Sequence, residues 1–300
     1  MNIRRNVAFH SCGIVCRGWL YTPSENAIKC PTIVMAHGMS GTKEIYLDKY
    51  AELFSQHGFA VLVFDYRYLG ESDGEPRNRM YPEDQVEDYR NAISYVSTLK
   101  EVDSKRIGIW GSSFGGGHCL RVAAIDKRVK CVVAQVPFVF GWATATRALR
   151  PDILRDTIQH LIRYREARYQ GAPLQYLPIT APKGEPCLIP TQAAHEFFTE
   201  AGKLSKTWRN QITLESVEKN FEYEPGSTID RISPIPLRMI VAETDEDTPT
   251  DLTLKAFERA LEPKSLVLIP GGHFDAYTKF FEESSKPALE WFQQHLMKKE

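Results

Sequence analysis

Apolar positions along this chain fall into short unbroken runs, separated by stretches in which they recur every three or four residues. The runs at 31–36, 59–64, 107–110, 129–134, 236–242 and 265–269 each have the length of a strand buried on both faces. Between them, Tyr46, Tyr50, Leu53 and Phe54 keep a helical spacing over 46–57. Val86, Tyr89, Ile93, Val96 and Leu99 do the same after Pro82, a residue suited to a helix start. Another helical stretch, 119–125, follows the run at 107–110. The first thirty residues differ. There apolar and polar positions alternate around turn residues, which predicts an antiparallel pair entering the sheet. Strands alternating with helices imply right-handed crossovers and an α/β fold with a mostly parallel sheet flanked by helices.

This rhythm breaks after Pro137. From 138 to 232 there is no clean apolar strand, only helical stretches at 143–150, 153–168 and 192–201 and a proline-rich segment at 172–190. The sheet pattern resumes at 236–242, so 138–232 reads as a helical insertion between two strands of a core formed by 1–137 and 233–300. Most of its many aromatics must pack a small core of their own. An insertion leaving the sheet at this point is also placed to lie over the carboxyl ends of the strands as a lid. Phe138 and Trp142, nearest the strand that enters it, are the expected substrate-facing residues.

Composition narrows the classes. The 300 residues are 43% hydrophobic and 25% charged, in the range of ordinary globular proteins. A net charge of −1 gives no electrostatic reason to expect nucleic acid or an anionic membrane as partner. No apolar run approaches the roughly 18–20 residues of a membrane span. The amino-terminal stretch continues with Asn6, His10 and Ser11 in place of an apolar core, and the last four residues match no lipidation motif. With no secretory signal read, the six scattered cysteines are expected to be reduced and buried, and the protein cytoplasmic.

Candidate chemistry sits at Gly111-Ser-Ser-Phe-Gly115, a G-x-S-x-G sequence between a predicted strand and a predicted helix. Ser113 at a sharp strand-to-helix turn would project from the carboxyl end of a parallel strand, where open α/β sheets bind ligands. A serine hydroxyl is a poor nucleophile near neutral pH and needs a base, itself oriented by an acid. In this architecture the order along the chain is Ser, acid, His. His273 in Gly271-Gly-His273 lies in a glycine-rich loop just past a predicted strand and is the expected base. Of the carboxylates after the run at 236–242, Asp245 is the expected acid, with Asp247 as its alternative. Two N–H donors are needed for an oxyanion. The amide of Phe114 is one, and the amide of Met39, after the strand ending at Ala36, is the natural second. His37 reads as a structural hydrogen-bonding residue, with contact to the substrate as the alternative. No histidine pair has metal-ligand spacing, and no metal or other cofactor is expected.

His37-Gly-Met-Ser-Gly-Thr-Lys-Glu44, Asp65-Tyr-Arg-Tyr-Leu-Gly-Glu-Ser-Asp-Gly74, Gly111 to Gly117, Asp245-Glu-Asp-Thr-Pro249 and Gly271-Gly-His273 together resemble the motifs of the α/β-hydrolase fold, over nearly the whole chain. The version is similar to the dienelactone-hydrolase and X-Pro-dipeptidyl-peptidase-like branch, and more closely to the fungal polyketide transferase group. Dienelactone hydrolases carry a cysteine nucleophile where this chain has Ser113, which argues against that activity. The resemblance implies an enzyme that takes an acyl chain from a thioester onto serine and passes it to water or another acceptor. The substrate would be a small molecule or an acyl group on a polyketide synthase carrier domain. A general carboxylesterase or amidase is the alternative. A catalytically silent ligand-binding protein is the alternative of another class. Silent relatives usually lack a triad member, and all three candidates are present here.

Overall fold

The computed structural model describes residues 3–297. The terminal residues 1–2 and 298–300, read above with the leader and lipidation motifs, lie outside the described residues. The alternating amino-terminal segment forms β1 (Ile3–Ser11) and β2 (Ile14–Thr22), paired antiparallel. Cys12 and Gly13 join them with φ of 48° and 82°, the two positive values of a tight hairpin turn. The chain continues through β3 (Cys30–Ala36), α1 (Leu47–Gln56), β4 (Ala60–Phe64), α2 (Pro82–Val96), β5 (Val102–Ser112), α3 (Phe114–Ile125) and β6 (Val129–Gln135). Then come α4 (Gly141–Ala148), α5 (Pro151–Tyr169), β7 (Tyr176–Leu177), α6 (Gln192–Ala201), β8 (Ile212–Thr213) and α7 (Leu214–Glu222). After a 3₁₀ segment (Pro225–Ile232), β9 (Leu237–Ala242), α8 (Thr250–Arg259), β10 (Lys264–Ile269) and α9 (Phe281–Leu296) complete the fold.

The main sheet has the order β1-β2-β4-β3-β5-β6-β9-β10. From β4 to β10 all neighbours are parallel, while β2 pairs antiparallel with both β1 and β4. Helices α1 and α9 pack on one face, and α2, α3 and α8 on the other. Every residue of β4 is buried, as are all but the first of β3, which explains their unbroken apolar runs.

The order reverses at β3. The chain leaves β3 for β4 on one side and later returns to place β5 on the other, so the connections after β3 and β5 diverge and open a crevice between them. Tyr89 of α2 fixes the two strand ends there. Its hydroxyl accepts from the Ala36 N–H at 2.9 Å and donates to the Trp110 carbonyl at 2.8 Å.

Several expectations need correction. The 138–232 stretch does contain strand, the two-residue ribbon β7–β8, too short to leave a periodic signal. It also contains α7 and the 3₁₀ segment, neither visible as a pattern. All six cysteines are free, but only Cys16, Cys119 and Cys131 are buried; Cys12 is exposed by its place in the hairpin turn, and Cys30 and Cys187 are half-buried. Among the described residues no helix is long and apolar enough to cross a membrane.

Candidate active site

Ser113 follows the last residue of β5 and precedes α3, with φ 58° and ψ −123°. A non-glycine residue held there is strained by about 1–3 kcal/mol, and the surroundings fix it. Its N–H donates to the Gln135 carbonyl at 2.8 Å, and its carbonyl accepts from the N–H groups of Phe138 at 2.9 Å and Gly117 at 3.1 Å. The glycines around it are required by close approach. A Cβ on Gly111 would lie 2.2 Å from the Gly115 carbonyl oxygen, and one on Gly115 would lie 2.6 Å from that of His37.

The turn aims Ser113 Oγ at His273 Nε2, 2.9 Å away. On the other side of the ring, Nδ1 lies 2.8 Å from Asp245 Oδ2. An ionised carboxylate only accepts, so Nδ1 carries the proton and Nε2 is free to accept from the serine hydroxyl. Asp245 is held as firmly. Its Oδ1 accepts from the N–H groups of Asp247 at 2.9 Å and Thr248 at 2.7 Å, and Thr248 Oγ1 lies 2.9 Å from Oδ2. Both His273 and Asp245 are buried. Burial pulls the His273 pKa down, but the charge and hydrogen bond of Asp245, with Asp247 behind them, outweigh it and leave the imidazole above its ordinary value. The arrangement provides a hydroxyl, a base to take its proton and an anion to stabilise the imidazolium that results.

Asp247, the alternative acid, lines the cavity in front of Ser113 but is hydrogen-bonded to Thr191 and not to His273. Its Oδ1 accepts from Thr191 Oγ1 at 2.7 Å, tying the loop after β9 to the start of α6. Burial raises its pKa.

Phe114 and Met39 both line the cavity in front of Ser113. Phe114 is the first residue of α3, and Met39 follows β3. Among the described residues, no acceptor meets the N–H of either. The Met39 loop is shaped by His37, whose Nδ1 accepts from the Gly38 N–H at 2.8 Å while Nε2 donates to the Ile45 carbonyl at 2.9 Å. Burial takes the His37 pKa down to about 4, so the ring is neutral and serves as a structural bridge.

The far end of the same loop is held by Lys43, a residue the sequence reading did not single out. Its fully buried Nζ lies 2.7 Å from Asp65 Oδ2, 2.8 Å from Glu44 Oε1 and 2.8 Å from Glu71 Oε2. Burial alone would lower its pKa, but Asp65 and the other two carboxylates raise it. Among the described residues, Glu44, Asp65 and Glu71 are the one acidic group close enough to share a cation, and the cation they hold is the Lys43 ammonium. Ser205, from the segment between β6 and β9, joins this network through Thr42 Oγ1 at 2.9 Å and Glu44 Oε2 at 3.1 Å.

In front of Ser113 lies a cavity of about 120 Å³. Its wall combines Met39, Phe114, His273 and Tyr277 with Phe138, Ala145, Leu149, Ile189, Phe197 and Asn220 from the segment between β6 and β9. Phe138 is therefore at the cavity, packed edge-on against Phe114 at 5.3 Å between ring centroids. Trp142 is not. It is 50% exposed and its ring lies against Phe221. The cause is helical phase: in α4 the cavity face is Gly141, Thr144, Ala145 and Ala148, and Trp142 sits about 100° round from Gly141.

Residues 31–280 match the family profile described as the alpha/beta hydrolase fold. The quorum-quenching protein AidA of Acinetobacter baumannii is 33% identical over 272 residues, covering 91% of this chain and 88% of that protein. The polyketide transferase grgF of a Penicillium species is 30% identical over 287 residues, covering 95% of this chain and 94% of that one. The crystal structure of the α/β hydrolase GrgF from Penicillium sp. sh18 superposes with a TM-score of 0.85 at 29% identity, over 99% of this chain and 100% of that chain.

Proposed function

This chain belongs to the α/β-hydrolase family as a hydrolase-fold enzyme, and from that premise we propose that it is a serine acyl-transfer enzyme acting on thioesters of polyketide-type acyl chains. The observation that carries the reading is the continuous path from Ser113 Oγ through His273 to Asp245, with hydrogen bonds of 2.9 and 2.8 Å. Ser113 attacks the acyl carbonyl while His273 takes its proton. The N–H groups of Met39 and Phe114 receive the developing oxyanion, and the thiol leaves with the proton returned by His273. An acyl-serine remains, which water or another nucleophile then discharges.

The thioester and polyketide parts of the reading draw support from the relative named a polyketide transferase and from the apolar cavity wall. The carrier domain of a synthase is the proposed donor, and the six unbridged cysteines suit a cytosolic site of action. The segment 138–232 acts as a lid. At about 120 Å³ the cavity is smaller than the ~150 Å³ that admits benzene in an engineered protein core. A long acyl chain therefore extends beyond the cavity, toward its exposed rim at Ala148. The lid is pinned to the core at Thr191, which donates to Asp247 in the loop after β9. The test is a panel of N-acetylcysteamine thioesters and p-nitrophenyl esters of matched chain length, read by release of thiol or phenol. Thioesters of medium chains turning over faster than acetyl esters support the reading. A marked preference for acetyl esters makes the protein a general carboxylesterase.

A further inference from the structure

Helix α7 places Asn220 in the cavity wall, where the residue is 5% exposed. Its Nδ2 lies 4.0 Å from Met39 Sδ, while its Oδ1 is buried and has no hydrogen-bond partner. The orientation of the carboxamide follows from that contact. An amide N–H donates weakly to a thioether sulfur, whereas the reversed amide would set oxygen lone pairs against sulfur lone pairs. The acceptor is therefore the atom left over. Most polar groups around the cavity are already satisfied: Ser113 on His273, His273 on Asp245, and Thr191 on Asp247. A buried carbonyl oxygen without a donor is costly, and in native structures it calls for an explanation.

We propose that Asn220 is a specificity-determining residue whose Oδ1 accepts a hydrogen bond from a hydroxyl on the acyl chain of the substrate. The inference rests on the acyl-serine reading above and adds to it the chemistry of the chain. An acceptor selects a donor, so a hydroxyacyl chain is favoured over the saturated or keto chain, which has nothing to donate. Met39 links the two places. Its backbone N–H is the proposed oxyanion donor and its side chain touches Asn220, which brings Asn220 close to the reacting centre. Asn220 shares the cavity wall with the apolar side chains of Phe138, Phe221 and Leu149, among which one polar acceptor discriminates most strongly.

The test compares N-acetylcysteamine thioesters of octanoate and of 3-, 5- and 7-hydroxyoctanoate, with the wild-type protein and with Asn220→Ala and Asn220→Leu. The wild-type kcat/KM is expected to favour one hydroxylated isomer over octanoyl by about 10- to 100-fold, the range for satisfying one buried acceptor. Both variants are expected to lose that preference, the favoured isomer falling to the rate that the same variant shows on octanoyl. Equal wild-type rates on all four substrates overturn the proposal, whether or not the variants fold. So does a variant that keeps the preference, or one that slows all four alike. Octanoyl turnover that depends on Ser113 reports the acyl-serine reading separately, so its failure is distinguishable from failure of the hydroxyl rule.

Discussion

Asp245 meets His273 through one carboxylate oxygen only, 2.8 Å from Nδ1, while its other oxygen is fixed by the N–H groups of Asp247 and Thr248. The carboxylate is thus aimed by the backbone of its own loop. Asp245→Asn should reduce kcat by about 10⁴, the effect of the equivalent change in serine proteases. The pH profile should move with it. His273 must be neutral to act as base, so wild-type kcat/KM rises as pH rises through a pKa above the ordinary imidazole value. Without the carboxylate charge, burial acts almost alone, and the acid limb shifts to lower pH. Asp247→Asn should leave turnover within about ten-fold. A larger loss in Asp247→Asn than in Asp245→Asn would reassign the acid.

Adjacent serines at the turn have separable roles. Ser112 Oγ accepts from the Tyr277 hydroxyl at 2.6 Å and from Gln135 Nε2 at 3.2 Å, inside the body of the protein. Ser112→Ala should lower stability by about 1–3 kcal/mol, by leaving buried donors unpaired. It should still label with a fluorophosphonate. Thermal unfolding and labelling, measured together, check this.

The Met39 loop passes close to the nucleophile. A Cβ on Gly38 would lie 2.7 Å from Ser113 Cβ and 2.9 Å from the Ser112 carbonyl oxygen. Gly38→Ala must therefore push the loop away and take the Met39 N–H with it. The expected loss is about 10²–10³ in kcat, that of one oxyanion donor. A change in KM alone would show that the Met39 amide has no such role.

How these residues came to be readable differs from one to the next. Ser113 and His273 announce themselves because their backbones need glycine neighbours, and glycine clusters survive as a local signal. Asp245 was separable from Asp247 only by position after the strand; the hydrogen bonds that distinguish them depend on Thr191, more than fifty residues away. Trp142 misled because nearness along the chain to the strand says nothing about the phase of the helix it enters. Lys43 was visible in its motif, but its partners Asp65 and Glu71 come from another loop, and a buried ion pair leaves no periodicity. Asn220 lies on a nine-residue helix, too short for its apolar spacing of Leu214, Val217 and Phe221 to stand out.

Helical phase gives a direct test of the cavity wall. Ala148 faces the cavity and Trp142 faces away. Ala148→Phe should suppress turnover of long acyl thioesters at least ten-fold while sparing a short activated ester, because a large side chain at the exposed rim of the cavity obstructs the path of a long chain. Trp142→Ala should change both substrates alike, and little. Measured kcat/KM on the two substrates decides, and a selective loss in Trp142→Ala would reverse the orientation of α4.

The covalent intermediate is the most direct point of contact with experiment. Intact mass of the protein, taken within seconds of mixing with octanoyl N-acetylcysteamine, should show one added octanoyl group, and peptide mapping should place it on Ser113. The adduct should be absent from Ser113→Ala and should persist longer when discharge is slowed in His273→Ala loaded with an activated acyl donor. Turnover of the thioester by Ser113→Ala at the wild-type rate, with no acyl group on the protein, would contradict an acyl-serine mechanism outright.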